Sequence, residues 1–470
     1  MVVALLGGAV GLTAGVLSGP LWLDETLSVE IARLPLPDVY AALRQDGAPP
    51  VYYLLLKVWM AAFGTGTIAV RLLSVLLTAL ALPLAHRLGG RLGGVAGARA
   101  AVVVLAALPW TMRFGSEARM YMLVVVLVLA GTLALLAVHR SASRPAVLAL
   151  AGCVAALLLT HYWSLFLLAA VGALHLPGLL RRRPESVRVA GAGALGVLAF
   201  TPWLPTFVFQ ARHTGAPWAD PTDLVELLRT PGFWGGGSWT WRTVLAVVLV
   251  ALAAFGAVRR PVLRALVGVA SLALLLAWTS VAVSGGAYTG RYTAVVVPLV
   301  AVAVGLGAVA LPGRREPLVA LSVTTLLCLG TGLPSAGAGR TFAGDVASAF
   351  RSSASPGDLL VYCPDQLGPP MARLLGSAYQ QVVYPTLDAP QRIDWVDYRA
   401  RQDAARPASA ARQVDTLAGD RPVFVLVAGD YRTFEGDCEA LLRGLGQRRG
   451  PVVRVFGTWG SDDPLLVRFP

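Results

Sequence analysis

The sequence predicts a polytopic α-helical membrane protein with a small α/β domain at its C-terminal end. Three observations lead there. Hydrophobic residues make up 56% of the 470 residues and charged ones only 14%, against about 25% charged in ordinary soluble domains. The mean hydropathy is +0.66, and apolar runs of roughly 16–22 residues, long enough to cross a hydrocarbon core, recur through the first 335 residues. From residue 336 the pattern changes to short strand-like runs alternating with helical stretches, the mark of a compact α/β domain.

The apolar runs lie at 3–20, 68–86, 97–112, 120–138, 145–160, 163–180, 189–206, 242–258, 262–283, 293–311 and 317–335, which gives about eleven transmembrane helices. Their basic residues gather in short connections: Arg87/Arg91/Arg99, Arg140/Arg144, Arg181–Arg183 with Arg188, Arg259/Arg260/Arg264 and Arg314/Arg315. The positive-inside rule makes these connections cytoplasmic. The N-terminus is then inside, the C-terminal domain outside, and the expected location is the plasma membrane. The first run lacks a basic leader and an A-x-A site before Asp24, so an uncleaved helix is expected rather than a signal peptide. Net charge is +13, but residues 336–470 hold 15 Arg against 15 acids. The excess belongs to the cytoplasmic loops, so nucleic acid is not an expected partner.

The segment "PPVYYLLLKVWMAAFG", Pro49–Gly64, is apolar but short. Counting it as a span would push the basic loop after His86 outside, so it is expected to lie at the outer interface, where Tyr52, Tyr53, Lys57 and Trp59 suit the depth. The first external loop therefore runs from about Leu21 to Ile68, and "DETLSVEIARL" and "PDVYAALRQ" have helical spacing of apolar residues. In the tail, "DLLVYC", "QVVYP", "PVFVLVAG", "VVRVFGTW" and "LLVRFP" read as strands and "RTFEGDCEALLRGLG" as a helix. The domains are then 1–335 and 336–470. Cys153 and Cys328 fall within spans and read as buried apolar residues. Cys363 and Cys438 fall in the tail, where an exported location permits a disulfide; their distance is not legible from sequence.

No Asp or Glu lies in any of the eleven runs. Asp24, Glu25, Glu30, Asp38, Asp46, Glu117, Asp220, Asp223 and Glu226 all fall on the external side. An ion-coupled transporter keeps ionisable groups near the bilayer midplane, and this chain instead gathers its carboxylates at one rim. Three polar clusters join them there: "MRFGSEARMYM" with Arg113, Glu117, Arg119 and Tyr121; "THYWS" with His161 and Tyr162; and "GGAYTGRYT" with Tyr288, Arg291 and Tyr292. An arginine at the outer boundary runs against the positive-inside trend, and its guanidinium fork fits phosphate. The bland alternative is interfacial snorkelling beside an aromatic belt.

The stretches "WLDETLSVEIA", "DGAPPVYYLLLKVWMAAFG", "AVRLLSVL", "RFGSEARMYMLVVV" and "GRYTAVVVPL" occur in an order that resembles the GT-C superfamily of membrane glycosyltransferases. The likeness is to its protein O-mannosyltransferase, aminoarabinose transferase and rhizobial galacturonosyltransferase-like branch, over roughly residues 15–310. The resemblance implies transfer of a sugar from a polyprenyl phosphate to an acceptor hydroxyl, with inversion, on the outer face of the membrane. The expected acceptor is a glycan, lipid or protein of the cell envelope. It implies Asp24 as general base, with Glu25 beside it, and Arg119 and Arg291 as cations for the departing lipid phosphate. Glu117, Tyr121, His161 and Tyr292 fall in as substrate-binding residues, and Glu25 and Glu117 could instead hold a divalent cation. Many relatives carry His or Lys before the Pro-Pro pair; here it is Ala48, and Asp46 is the nearest candidate metal ligand.

His175, inside an apolar helix, reads as a satisfied core residue. The stretch from Arg212 to Trp241, rich in Gly and Trp, reads either as a flap over a sugar or as a plain interfacial loop. Rival functions from other classes are a lipid or glycolipid flippase, a transporter, and a non-catalytic envelope scaffold. The central expectation is that Asp24, Glu25, Arg119 and Arg291 serve one pocket.

Overall fold

The computed structural model describes all residues except 142, 217, 220, 221, 429–432, 435 and 459–462. Pro217, Asp220 and Pro221 of the Arg212–Trp241 stretch, and parts of three tail segments (Gly429; Arg432 and Glu435; Trp459), lie outside the described residues. Along the chain run α1 (Val2–Val16), α2 (Leu23–Ala32), α3 (Leu36–Asp46), α4 (Val51–Phe63), α5 (Thr67–Ala107), α6 (Pro109–Gly115), α7 (Tyr121–Arg140), α8 (Arg144–Leu158), α9 (Ser164–Leu180), α10 (Pro184–Phe200), α11 (Leu204–His213), α12 (Leu224–Phe233), α13 (Trp239–Arg259), α14 (Pro261–Ser284), α15 (Val297–Val309) and α16 (Glu316–Ala336). There follow α17 (Ala343–Ser353), β1 (Leu359–Cys363), α18 (Gly368–Leu375), β2 (Gln380–Val383), α19 (Tyr398–Ala404), α20 (Pro407–Ala418), β3 (Val423–Val427), α21 (Asp437–Arg449), β4 (Val453–Phe456) and β5 (Leu465–Phe469).

The contacts divide the chain into two compact units: residues 1–18, 48–207 and 221–338, and residues 19–47, 208–220 and 339–470. The division expected at 335/336 puts the segment 19–47 with the membrane helices; its contacts put it in the second unit.

The first unit is a multi-pass membrane bundle. Each of the eleven apolar runs contains a helix. Among the described residues six helices are long and apolar enough to cross a membrane (α5, α7, α10 continued through α11, α13, α14 and α16), while α1, α4, α8, α9 and α15 are shorter. The runs 68–86 and 97–112 are the two helical parts of α5, which meet across a kink at Gly94, whose φ of +66° is open to glycine but strained for other residues. One detail departs from the expected spans. The second run then ends early, because Pro109 forces Leu108 into extended backbone (φ −61°, ψ 126°). α15 is buried along most of its length, as expected of a helix that is apolar all round.

The second unit is a three-layer α/β domain. Its sheet has the order β2-β1-β3-β5-β4. β1 pairs in parallel with β2 and β3, and β5 pairs antiparallel with β3 and β4. The interior strand β1 is buried at every position, as a strand covered on both faces must be. Leu359, Val361 and Cys363 face α20 and α21; Leu360 and Tyr362 face α17 and α18. Cys363 is joined by a disulfide to Cys438 on α21.

Segment 19–47 is built into this domain. Leu27 of α2 enters the core beside Val361 and Leu441. The Trp395 N–H donates to the Gln45 carbonyl at 3.2 Å, and the Gln210 side-chain amide donates to the Leu43 carbonyl at 2.8 Å.

Candidate active site

In the first unit the three polar clusters expected at helix ends come together. His161, in the turn between α8 and α9, is 8% exposed. Its ring centroid lies 6.1 Å from that of Tyr121, at the start of α7, and 5.2 Å from that of Tyr292, on the 3-10 turn Gly290–Val295. Tyr292 also meets the Trp163 ring at 5.4 Å, and the Arg291 guanidinium carbon lies 5.5 Å from the Tyr292 centroid, within cation–π range. Burial, and then the positive charges of Arg119 and Arg291, push the His161 pKa down to about 3.

The ring is therefore neutral at pH 7. Its Nδ1 accepts the Trp163 backbone N–H at 3.2 Å, which leaves the proton on Nε2. His161 thus offers a hydrogen-bond donor, not a proton source. Two guanidiniums, a neutral N–H and an aromatic wall suit an anion such as a phosphate.

The local sequence explains how these groups are held. Gly290 starts its turn against Phe233, and a Cβ there would fall 2.6 Å from that side chain, so only glycine allows the approach. Trp110 Nε1 donates to the Gly290 carbonyl at 3.1 Å, and Trp234 Nε1 to Thr293 Oγ1 at 2.9 Å.

Glu117, in the turn between α6 and α7, is fully buried and pairs with Arg113 at 3.0 Å. Its carbonyl accepts from Ser74 Oγ on α5 and from the Arg119 N–H. One turn of α5 before Ser74 stands Arg71, also fully buried, whose Nη1 donates to the Val16 carbonyl at 3.0 Å. Sequence reasoning passed over Arg71. Counting bases as well as acids inside the apolar runs would have found it, since a charged residue in a span is rare unless it is used.

The acid pair lies in the second unit, in the first turn of α2. Carboxylates there are favoured by the helix dipole, and Glu25 reaches back to the Trp22 N–H at 3.4 Å. The pair thus has a structural role in starting the helix. The two acids then differ. Glu25 is fully buried and paired with Arg340 at 3.3 Å, with the arginine side chain 3% exposed. Asp24 is half-buried, and its carbonyl accepts from Ser28 Oγ. Arg340 carries no local signal in the sequence.

Asp46 ends α3, half-buried. Among the described residues no group of three or more His, Cys, Asp or Glu is placed to hold a metal ion. The expected metal set around Asp46 is not assembled among the described residues. His175 is half-buried, and its Nδ1 donates to the Val171 carbonyl at 2.8 Å.

No protein-family model and no curated protein matches the chain. Solved structures do. ArnT from Cupriavidus metallidurans in the apo state aligns over 98% of this chain and 97% of its own, at TM-score 0.61 and 14% identity. The same protein bound to undecaprenyl phosphate aligns over 98% and 97%, at TM-score 0.58 and 13% identity. The arabinofuranosyltransferase AftD from Mycobacteria aligns over 99% of this chain but 39% of its own length, at TM-score 0.56 and 15% identity. The chain thus shares the fold of these solved structures.

Proposed function

We propose that this chain is a glycosyltransferase that moves a sugar from a polyprenyl-phosphate donor to an acceptor hydroxyl on the outer face of the plasma membrane. The observation that carries the reading is the convergence of Arg119 and Arg291 on the neutral, buried His161 inside an aromatic wall. The fold likeness adds to it, since one structure sharing the fold holds undecaprenyl phosphate. The Cys363–Cys438 disulfide supports an oxidising, extracytoplasmic setting for the second unit.

On this reading Asp24 takes the proton of the acceptor hydroxyl as its oxygen attacks the anomeric carbon from the face opposite the phosphate. The new carbon–oxygen bond forms as the bond to the phosphate oxygen breaks, with inversion. The leaving group departs as an anion and needs no strong acid. It needs positive charge where charge develops, which Arg119 and Arg291 supply, with the His161 Nε2–H as a further donor. Glu117, Tyr121 and Tyr292 orient the donor. Glu25, held by Arg340, is a positioning residue that fixes the first turn of α2 and hence Asp24.

The test is transfer from polyprenyl-phosphate sugars by the purified chain in nanodiscs, with the donor chosen by mass spectrometry of envelope glycans from a deletion strain. Arg119→Gln and Arg291→Gln each remove a charge-assisted contact of about 1.5–3 kcal/mol, so each raises donor KM or lowers kcat/KM by about 10–100-fold. Transfer unaffected by both changes contradicts the assignment of the phosphate.

A further inference from the structure

We infer that the second unit contains a carbohydrate-binding cleft of its own, at the point where its strand order switches. β2 and β3 lie on opposite sides of β1, both parallel to it. The chain therefore leaves the carboxyl end of β1 toward one side and later returns to the other. In open α/β sheets the crevice beyond such a switch point is the usual ligand site. Here that crevice is a cavity of about 410 Å³, within the range of small-molecule sites. Gln366 enters it from the turn after β1, Ala428 from the end of β3, Asp345 from the first turn of α17, Arg340 and Thr341 from the segment before α17, and Trp22 from the start of α2.

Charge selects the class of ligand. A helix N-terminus such as that of α17 attracts phosphate, but Asp345 sits in its first turn. The single arginine of the lining, Arg340, is already tied to Glu25. One Arg and one Asp leave the lining formally neutral, which disfavours a nucleotide or a free phosphate. What remains is a carboxylate, an amide, a hydroxyl and a guanidinium beside an indole and the aliphatic side chains of Leu367 and Met371. A neutral polyhydroxylated ring matches that set: its hydroxyls pair with the polar groups, and its apolar face lies on the indole and aliphatic carbons.

Trp22 and Leu23, both in the lining, immediately precede Asp24. On the transferase reading the cleft seats the acceptor glycan, and that use rests on the reading; saccharide binding does not. The probe is a panel of methyl hexopyranosides and pentofuranosides, followed by saturation-transfer NMR and calorimetry on the full chain in nanodiscs. At least one glycoside is expected to bind with a Kd of about 1 mM or tighter. Asp345→Ala, at an exposed side chain, weakens it at least tenfold, and so does Ala428→Trp, which fills the cleft, provided its melting temperature stays at the wild-type value. No binding by any glycoside overturns the inference, as does affinity unchanged in Asp345→Ala, or saturable binding of inorganic phosphate in place of sugar. If glycoside binding holds while the wild-type chain transfers sugar from no polyprenyl-phosphate donor, the transferase reading fails and the cleft stands.

Discussion

Each unit buries a glutamate beside an arginine, and the two pairs are made differently. Glu117 pairs with Arg113 one helical turn earlier, and the arginine is 38% exposed. Glu25 pairs with Arg340 across 315 residues, and neither side chain is more than 3% exposed. The first pair is local and visible in the motif "RFGSE". The second is tertiary, and it ties the first turn of α2 to the segment that leads into the sheet domain. The difference teaches where the acid pair at residues 24 and 25 gets its geometry: from the second unit, through Glu25.

That contrast gives the largest expected effect on stability. Removing one member of a dry pair leaves a buried charge without its counter-ion, at a cost of about 3–5 kcal/mol. Glu117 is as deeply buried, but its arginine is 38% exposed, so solvent screens that pair and can reach the carboxylate once the arginine side chain is removed, which lowers the cost. Arg340→Ala should therefore lower the melting temperature of the purified chain far more than Arg113→Ala, and Glu25→Gln combined with Arg340→Ala should recover part of the loss. Equal destabilisation by the two arginine variants would break the comparison.

A second contrast sharpens it through pH. Each unit also holds a titratable group that burial drives toward its neutral form. In the first unit it is His161, pushed from its ordinary 6.5 down to about 3. In the second it is Asp365, pushed from 3.8 up to about 6 by burial, against the opposing pull of the Tyr398 hydroxyl and of Arg401. The signs are opposite. The folded His161 binds its proton less tightly than the unfolded chain does, so its stability is whole above pH 6.5 and drains as pH falls toward 3. The folded Asp365 binds its proton more tightly, so its contribution is whole below about pH 4 and is lost as pH rises through 6. Asp365→Asn should raise stability at pH 7 by on the order of 2–3 kcal/mol, and His161→Gln should flatten the acid limb. Melting curves of the full chain from pH 4 to 8 check both, and a destabilising Asp365→Asn at pH 7 contradicts the assignment.

Much of the fold was legible because its signals are local. Apolar runs of spanning length gave the membrane helices, alternation of strand and helix patterns gave the second unit, and all five strand segments hold strands. The clusters around Arg119, His161 and Arg291 were legible as polar residues at apolar helix ends. What escaped was long-range. Nothing near Glu25 announces Arg340, and nothing in "DETLSVEIARL" says that Leu27 belongs to the core of a domain more than 300 residues later. The disulfide was open for the same reason, since spacing in sequence does not give distance. Arg71 was missed although its signal was local, because only acids were sought within the spans.

The central claim is that Asp24 acts as the base for sugar transfer, and single-turnover transfer by Asp24→Asn in nanodiscs tests it most directly, with donor-lipid affinity measured on the same sample. General-base assistance is typically worth about 10²–10⁴-fold. The account predicts a loss of that size in the transfer step, with donor affinity and melting temperature unchanged. Transfer at the wild-type rate by a folded Asp24→Asn chain would contradict it.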